Sequence, residues 1–172
     1  MYLPGLRRIR HHMGRREGQE VSEVWVMEYN TNAFWLRVAG DVSRNADCRR
    51  RRVGAVIVNV LGRQIATGSN AVPSGPGCMA GGCPRGLLTT EQVPHGADYK
   101  SGPGLCHAVH AEAAAIRYAF RSDRLLDGST LYCTDRPCAD CSRIISTAGI
   151  ARVVTPGGAY SVGEEETPDR NE

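Results

Sequence analysis

The order of patterned segments predicts an α/β fold, a sandwich of helices on a mixed sheet. Two short apolar stretches read as a hairpin. Two helical patterns follow, each leading into a further short strand. The order helix, strand, strand, helix, strand, helix, strand sets helices against one sheet. At 172 residues the chain suits one compact domain with tails.

Residues 1–28 are polar, rich in arginine and glutamate, and carry no sustained period, so they are expected to be a disordered N-terminal extension. The domain is expected over residues 29–158, followed by an acidic, flexible tail over 159–172. In residues 34–44, Trp35, Val38, Ala39 and Val42 fall on one helical face, with Asn32 a candidate cap. Residues 53–60 (VGAVIVNV) are β-branched and nearly all apolar, which suits a buried strand. Leu61, Gly62 and Arg63 make a turn into a second strand over residues 64–67. Residues 71–104 are rich in glycine and proline and hold two cysteines. A loop of that length needs something to tie it down, and a bound metal would do so. The alanine-rich residues 108–120 predict a helix. A third strand over 130–134, a helix over 138–148 ended by Gly149, and a fourth strand over 151–155 complete the domain.

A net charge of +3 suits a small anionic substrate without requiring nucleic acid. No run of about 18 apolar residues is present. The basic N-terminal stretch is not followed by an apolar core, so no secretory signal is expected and the protein is placed in the cytoplasm. In a reducing compartment its seven cysteines, an odd number, point to metal ligation rather than disulfides.

Two motifs carry the chemistry: His110-Ala111-Glu112, and Pro137-Cys138-Ala139-Asp140-Cys141. Each opens a predicted helix, so two helix starts can converge on one ion. His110, Cys138 and Cys141 would give zinc three protein ligands and leave a fourth position for water, as in a catalytic site. Glu112, two residues from a ligand, can face that water without binding metal and carry its proton. The helix-start N–H groups at Ala111 and Cys138 can help hold the thiolates and the reacting groups. Alone, Cys138 and Cys141 would also fit a redox pair. Together, H-x-E and P-C-x-x-C form the signature of zinc nucleobase deaminases.

On these residues the chain resembles the deoxycytidylate deaminases of the cytidine and deoxycytidylate deaminase superfamily, especially the bacterial and phage type. The likeness runs from about Met27 to Val154 and includes the stretch from Cys48 to Val58, Gly68-Ser69-Asn70, Cys78 with Cys83, and Cys106 to Ile116. It implies a three-layer α/β/α sandwich, conversion of dCMP to dUMP that feeds thymidylate synthesis, and a homo-oligomer. It also implies a second, structural zinc on Cys48, Cys78, Cys83 and Cys106, with His95 or His107 able to replace one cysteine. The plainer reading of these four is buried free thiols. Cys133 reads as core packing. The family's sugar-contacting asparagine matches Asn70. Its usual Gly-Tyr-Asn-Gly setting, linked to regulation by dCTP and dTTP, is here Gly68-Ser69-Asn70-Ala71. For the 5′-phosphate, Arg136 is the first candidate, then Arg85, Lys100 and Arg143. The run from Arg49 to Arg52 reads as solvated or as part of an oligomer interface. Because the likeness starts near Met27, residues 1–26 are expected to be dispensable.

Two rival readings stand beside this one. The same chemistry could act on free cytidine, CMP, a modified cytosine nucleotide or a tRNA adenosine. The tRNA enzymes usually carry a methionine where Ala139 and Asp140 stand. A zinc-stabilised, non-catalytic nucleic-acid-binding module is the other reading. It leaves Glu112 without a job, and 6% aromatic residues offer few stacking platforms.

Overall fold

A computed structural model of the chain describes residues 6–8, 25–27, 31–94 and 97–163. Helix α1 (Thr31–Ser43) leads into strands β3 (Gly54–Val58) and β4 (Gln64–Ser69). The long loop that follows contains one short helix, α2 (Pro84–Leu87), and a 3-10 turn over Gly102–Gly104. Then come α3 (Ala111–Arg121), β5 (Thr130–Cys133), α4 (Ala139–Thr147), β6 (Arg152–Thr155) and β7 (Gly158–Ser161). Within the stretch expected as an extension, β1 (Leu6–Arg8) pairs antiparallel with β2 (Trp25–Met27) as a separate small sheet. The remainder of that stretch, His95, and the end of the acidic tail lie outside the described residues. No helix among the described residues is long and apolar enough to cross a membrane.

The main sheet has the order β4-β3-β5-β6-β7. β3 is antiparallel to β4 and β5, β5 is parallel to β6, and β6 is antiparallel to β7, so the sheet is mixed. The parallel step needs a crossover, and α4 supplies it.

All five residues of β3 are buried because helices cover both faces. Ala55 and Ile57 face one core with Leu131, Val153, Ala115 of α3 and Ile145 of α4. Val56 and Val58 face the other, with Tyr132, Val154 and Ala39 of α1. This is the expected three-layer sandwich, and it explains the continuous rather than alternating apolar run. A Cβ on Gly54 would sit 2.1 Å from the carbonyl oxygen of Ala39, so only glycine lets α1 lie this close to the sheet.

Several boundaries differ from expectation. Asn32 is not a cap: the helix already includes Thr31, and the Asn32 side chain accepts a hydrogen bond from the Tyr132 hydroxyl at 3.2 Å. α3 begins at Ala111 because His110 is its extended N-cap residue. Gly149 does follow α4 in the left-handed region, at φ +80°. β7 was not expected. Its first residues belong to a glycine-rich turn and the rest to the region read as tail, yet Tyr160 pairs with Val153.

Candidate metal centre

His110 and Cys138 occupy equivalent places: each is the extended residue capping a helix, α3 and α4 respectively. Cys141 lies in the first turn of α4. The two helix starts therefore meet. His110 Nδ1 lies 3.4 Å from Cys141 Sγ and 3.6 Å from Cys138 Sγ. All three donor atoms lie within 4.8 Å of one another, a separation that one ion can bridge. One imidazole and two thiolates suit zinc by softness and number. Both helix N-termini contribute positive potential where the thiolates need it.

The two thiols are not equivalent. Burial raises Cys138, but the Tyr99 hydroxyl and the N–H groups of Cys141 and Asp140 approach its sulfur, and together they hold it below its ordinary value. None of these contacts has the geometry of a helix cap. Cys141 is pushed well up, first by burial and then by the charges of Glu112 and Cys138. A dication between them would favour the thiolate form of both.

Glu112, in the first turn of α3, is only 4% exposed. Burial pushes its carboxyl above the ordinary range, while its own backbone N–H, His110 and Cys141 pull the other way. It is a carboxylate beside the metal ligands with a raised proton affinity. Behind it, a Cβ on Gly68 would come 2.2 Å from the oxygen of Ala111 and 2.4 Å from the nitrogen of Ala115. The bare glycine of β4 is what seats α3, and with it His110 and Glu112, directly on the sheet. Ala111 is fully buried at this contact.

Asn70 follows β4 and is 7% exposed. Its Oδ1 accepts from Val53 N–H and its Nδ2 donates to Arg51 C=O, both at 2.8 Å. The carboxamide is thus fixed against the entry to β3, with one amide hydrogen left over.

The four remaining loop cysteines gather into a cluster. The thiols of Cys78 and Cys106 both interact with Cys83, and Cys48 is close enough to raise both by charge. They do not meet the 4.8 Å convergence seen at His110. Backbone N–H groups point at each sulfur. Arg51 N–H reaches Cys48 and Arg49 N–H reaches Cys78, both at 3.5 Å. Gly86 and His107 N–H face Cys83, and Ala108 N–H faces Cys106. Burial pushes Cys78 up to about 11 and also raises Cys106; at Cys83 the donors outweigh burial and lower it. Cys133 is fully buried in the sheet core, as expected of a packing residue.

All four candidate phosphate cations make interactions within the chain. Arg85 donates to the carbonyls of Ala97, Asp98 and Gly104 at 2.8–3.0 Å. Lys100 and Arg143 both pair with Asp140, at 2.6 and 2.7 Å. The run from Arg49 to Arg52 is not merely solvated. Arg49 donates to Met79 C=O, Arg50 to the carbonyls of Leu88 and Val93, and Arg51 forms a two-pronged pair with Asp135. These arginines strap the cysteine loop and the segment before Pro137 to the sheet. Arg136 is exposed and lines two clefts, of about 420 and 340 Å³, that flank it on the side of β6 and β7. Neither cleft is lined by His110 or Glu112. Tyr99, which no motif marked, packs its ring 5.2 Å from the His110 ring. It lies in an irregular loop eleven positions before that histidine, where no periodicity signals a role.

Comparison with known proteins agrees with this geometry. A family model of the cytidine and deoxycytidylate deaminase zinc-binding region matches residues 29–156. A deoxycytidylate deaminase of Mycobacterium phage D29 is 45% identical over 124 residues, covering 72% of this chain and 91% of its own. The deoxycytidylate deaminase of Saccharomyces cerevisiae is 35% identical over 141 residues, which is 81% of this chain but 41% of that longer protein. Among solved structures, the dCMP deaminase of cyanophage S-TIM5 in complex with dCMP and dUMP superposes with a TM-score of 0.55 at 29% identity, covering 76% of this chain and 83% of that one.

Proposed function

The chain belongs to the cytidine and deoxycytidylate deaminase family, and on that premise we propose that it hydrolyses dCMP to dUMP and ammonia at a zinc ion held by His110, Cys138 and Cys141. The observation that carries this is the convergence of those three donors beside the buried carboxyl of Glu112. Bound there, zinc activates a water near neutral pH. The proton traffic falls to Glu112. Its carboxylate takes the proton of the attacking water and delivers it to N3 of the cytosine ring. It then takes the proton of the new C4 hydroxyl and passes it to the 4-amino group, which leaves as ammonia while C4 becomes the carbonyl of uracil. Burial raises its proton affinity toward the working pH, where one group both accepts and donates effectively. Asn70, already fixed by Val53 and Arg51, presents its remaining amide hydrogen to the sugar, and Ala111 N–H faces the reacting groups. Arg136 is the cation for the 5′-phosphate.

A second, structural zinc is assigned to Cys48, Cys78, Cys83 and Cys106. The support is chemical: four clustered thiols, each faced by a backbone N–H, in irregular segments with little regular structure of their own. The protein is further read as a cytoplasmic homo-oligomer, with Phe34, Tyr118, Phe120 and Leu125 among its exposed apolar side chains.

Ammonia release from dCMP, CMP, deoxycytidine and cytidine, run with wild type and Glu112→Ala and with zinc counted per chain, tests the reading. Turnover of dCMP that vanishes in Glu112→Ala is expected. Zinc-loaded enzyme that turns over no monophosphate would overturn the substrate assignment.

A further inference from the structure

Asn70 lies where the two arms of the metal site are cross-linked. The next residue, Ala71, exchanges two backbone hydrogen bonds with Val109, which immediately precedes His110. Ala71 N–H donates to Val109 C=O at 3.2 Å, and Val109 N–H to Ala71 C=O at 2.9 Å. The Asn70 carboxamide itself donates to Arg51 C=O at 2.8 Å. Arg51 then spans to the other arm. Its guanidinium grips both carboxylate oxygens of Asp135, with Oδ1 at 2.7 Å, shortly before Cys138. Asn70 is thus tied through Ala71 to the approach to His110 and through Arg51 to the approach to Cys138.

The Arg51–Asp135 pair stands where the sheet stops supplying cross-links. β3 and β5 pair antiparallel up to Ala55 and Cys133. One step further, Thr134 N–H still donates to Gly54 C=O at 3.0 Å, but Gly54 N–H turns to the Thr134 hydroxyl at 3.1 Å. Beyond that step the ion pair joins the two segments. Arg51 is exposed, and an exposed ion pair is ordinarily weak. This one is two-pronged, with a planar fork matched to the carboxylate. Both partners are also held nearby: Arg51 N–H faces Cys48 Sγ at 3.5 Å, and Asp135 Oδ1 accepts Arg136 N–H at 3.1 Å.

We infer that Arg51 and Asp135 form a positioning pair for substrate binding: by holding the entry to β3 against the segment that leads into Cys138, they set the placement of Asn70 relative to the metal site. The inference rests on the reading of Asn70 as the contact to the substrate sugar. The spare amide hydrogen of Asn70 serves a sugar oxygen only if the base then meets the metal, so the spacing of the two must be fixed. A contact to the non-reacting sugar is made in the ground state as well as the transition state, and its loss appears in KM rather than kcat. Arg51 acts through Asn70 and touches no reacting atom.

The test measures kcat and KM for dCMP, with zinc content and urea midpoint, in Arg51→Ala, Asp135→Asn, Asn70→Ala and the Arg51→Ala/Asn70→Ala double variant. Asn70→Ser, which keeps an acceptor for Val53 N–H, replaces the alanine variant if that one unfolds. Arg51→Ala and Asp135→Asn are each expected to raise KM by about fivefold, the upper end for an exposed pair, with kcat and zinc content little changed. Adding Arg51→Ala to Asn70→Ala should raise KM no further, because the two residues act in series. A KM raised by Arg51→Ala but not by Asp135→Asn would make Arg51 a direct substrate contact and overturn the pair. KM effects of Arg51→Ala and Asn70→Ala that simply multiply would overturn action through Asn70. Wild-type KM in Asn70→Ala would remove the sugar contact, and the inference with it.

Discussion

Gly68 of β4 lies directly beneath the carbonyl of Ala111, so close that a Cβ would stand 2.2 Å from that oxygen. The opposing atoms are helix backbone and cannot rotate away. Gly68→Ala is therefore expected to lift the start of α3 and cost about 1–3 kcal/mol of stability through overpacking. Because His110 and Glu112 ride on that helix start, deaminase activity should fall further than the stability loss explains. Urea unfolding run beside kcat and zinc content checks this. Wild-type activity in the variant would mean that the helix is seated by something else.

Glu112→Gln removes the proton carrier and keeps nearly the same shape. We expect kcat to fall by about 10²- to 10⁴-fold, the range for a positioned acid–base group, with the zinc count unchanged. A variant that lost its metal instead would mark Glu112 as a ligand.

The raised proton affinity of Glu112 also makes a thermodynamic prediction. Burial lifts its folded-state pKa above the ordinary 4.5. The stability it contributes is then fully present below the unfolded value and is lost as pH rises through the folded one. In metal-free protein, Glu112→Gln should therefore be more stable than wild type at neutral pH, and the difference should shrink toward acid. Thermal midpoints in chelator at two pH values measure it.

Asn70→Ala would strand the Val53 N–H and the Arg51 carbonyl, both now paired at 2.8 Å. Leaving a buried partner unsatisfied costs about 1–3 kcal/mol. The urea midpoint should drop accordingly, and KM for dCMP should rise if the spare amide hydrogen meets the substrate sugar.

Arg85→Lys preserves charge but not the planar fork that spans three carbonyls. A loss of about 1.5–3 kcal/mol is expected, as for hydrogen bonds to a charged group. Zinc should also leave the four-cysteine cluster more readily, read as metal released to a chelator over time. Unchanged release would separate Arg85 from the cluster.

His110, Glu112, Cys138 and Cys141 were legible in the sequence because their roles are local: each stands at fixed spacing at the start of a helix, and ligand chemistry narrows the residue types. The central strands were legible for a similar reason, since a β-branched apolar run such as that in β3 suits a sheet buried on both faces. What the linear order could not assign were relationships between distant segments. Gly68 meets Ala111, Arg51 meets Asp135, Arg85 clasps the turn at Gly104, and Tyr99 packs against His110; in each case the partner is chosen by how the sheet stacks its layers and how the long loop folds back. A charged side chain has no period that reveals its partner, so Arg85, Lys100 and Arg143 looked available for phosphate until their carbonyls and carboxylate were in place. The sequence by itself pointed to the ligands, the proposed proton carrier and the family. Only the tertiary structure decided which arginines brace the loop and which tyrosine stands against the metal site, because those choices depend on distances that exist only once the chain has closed on itself.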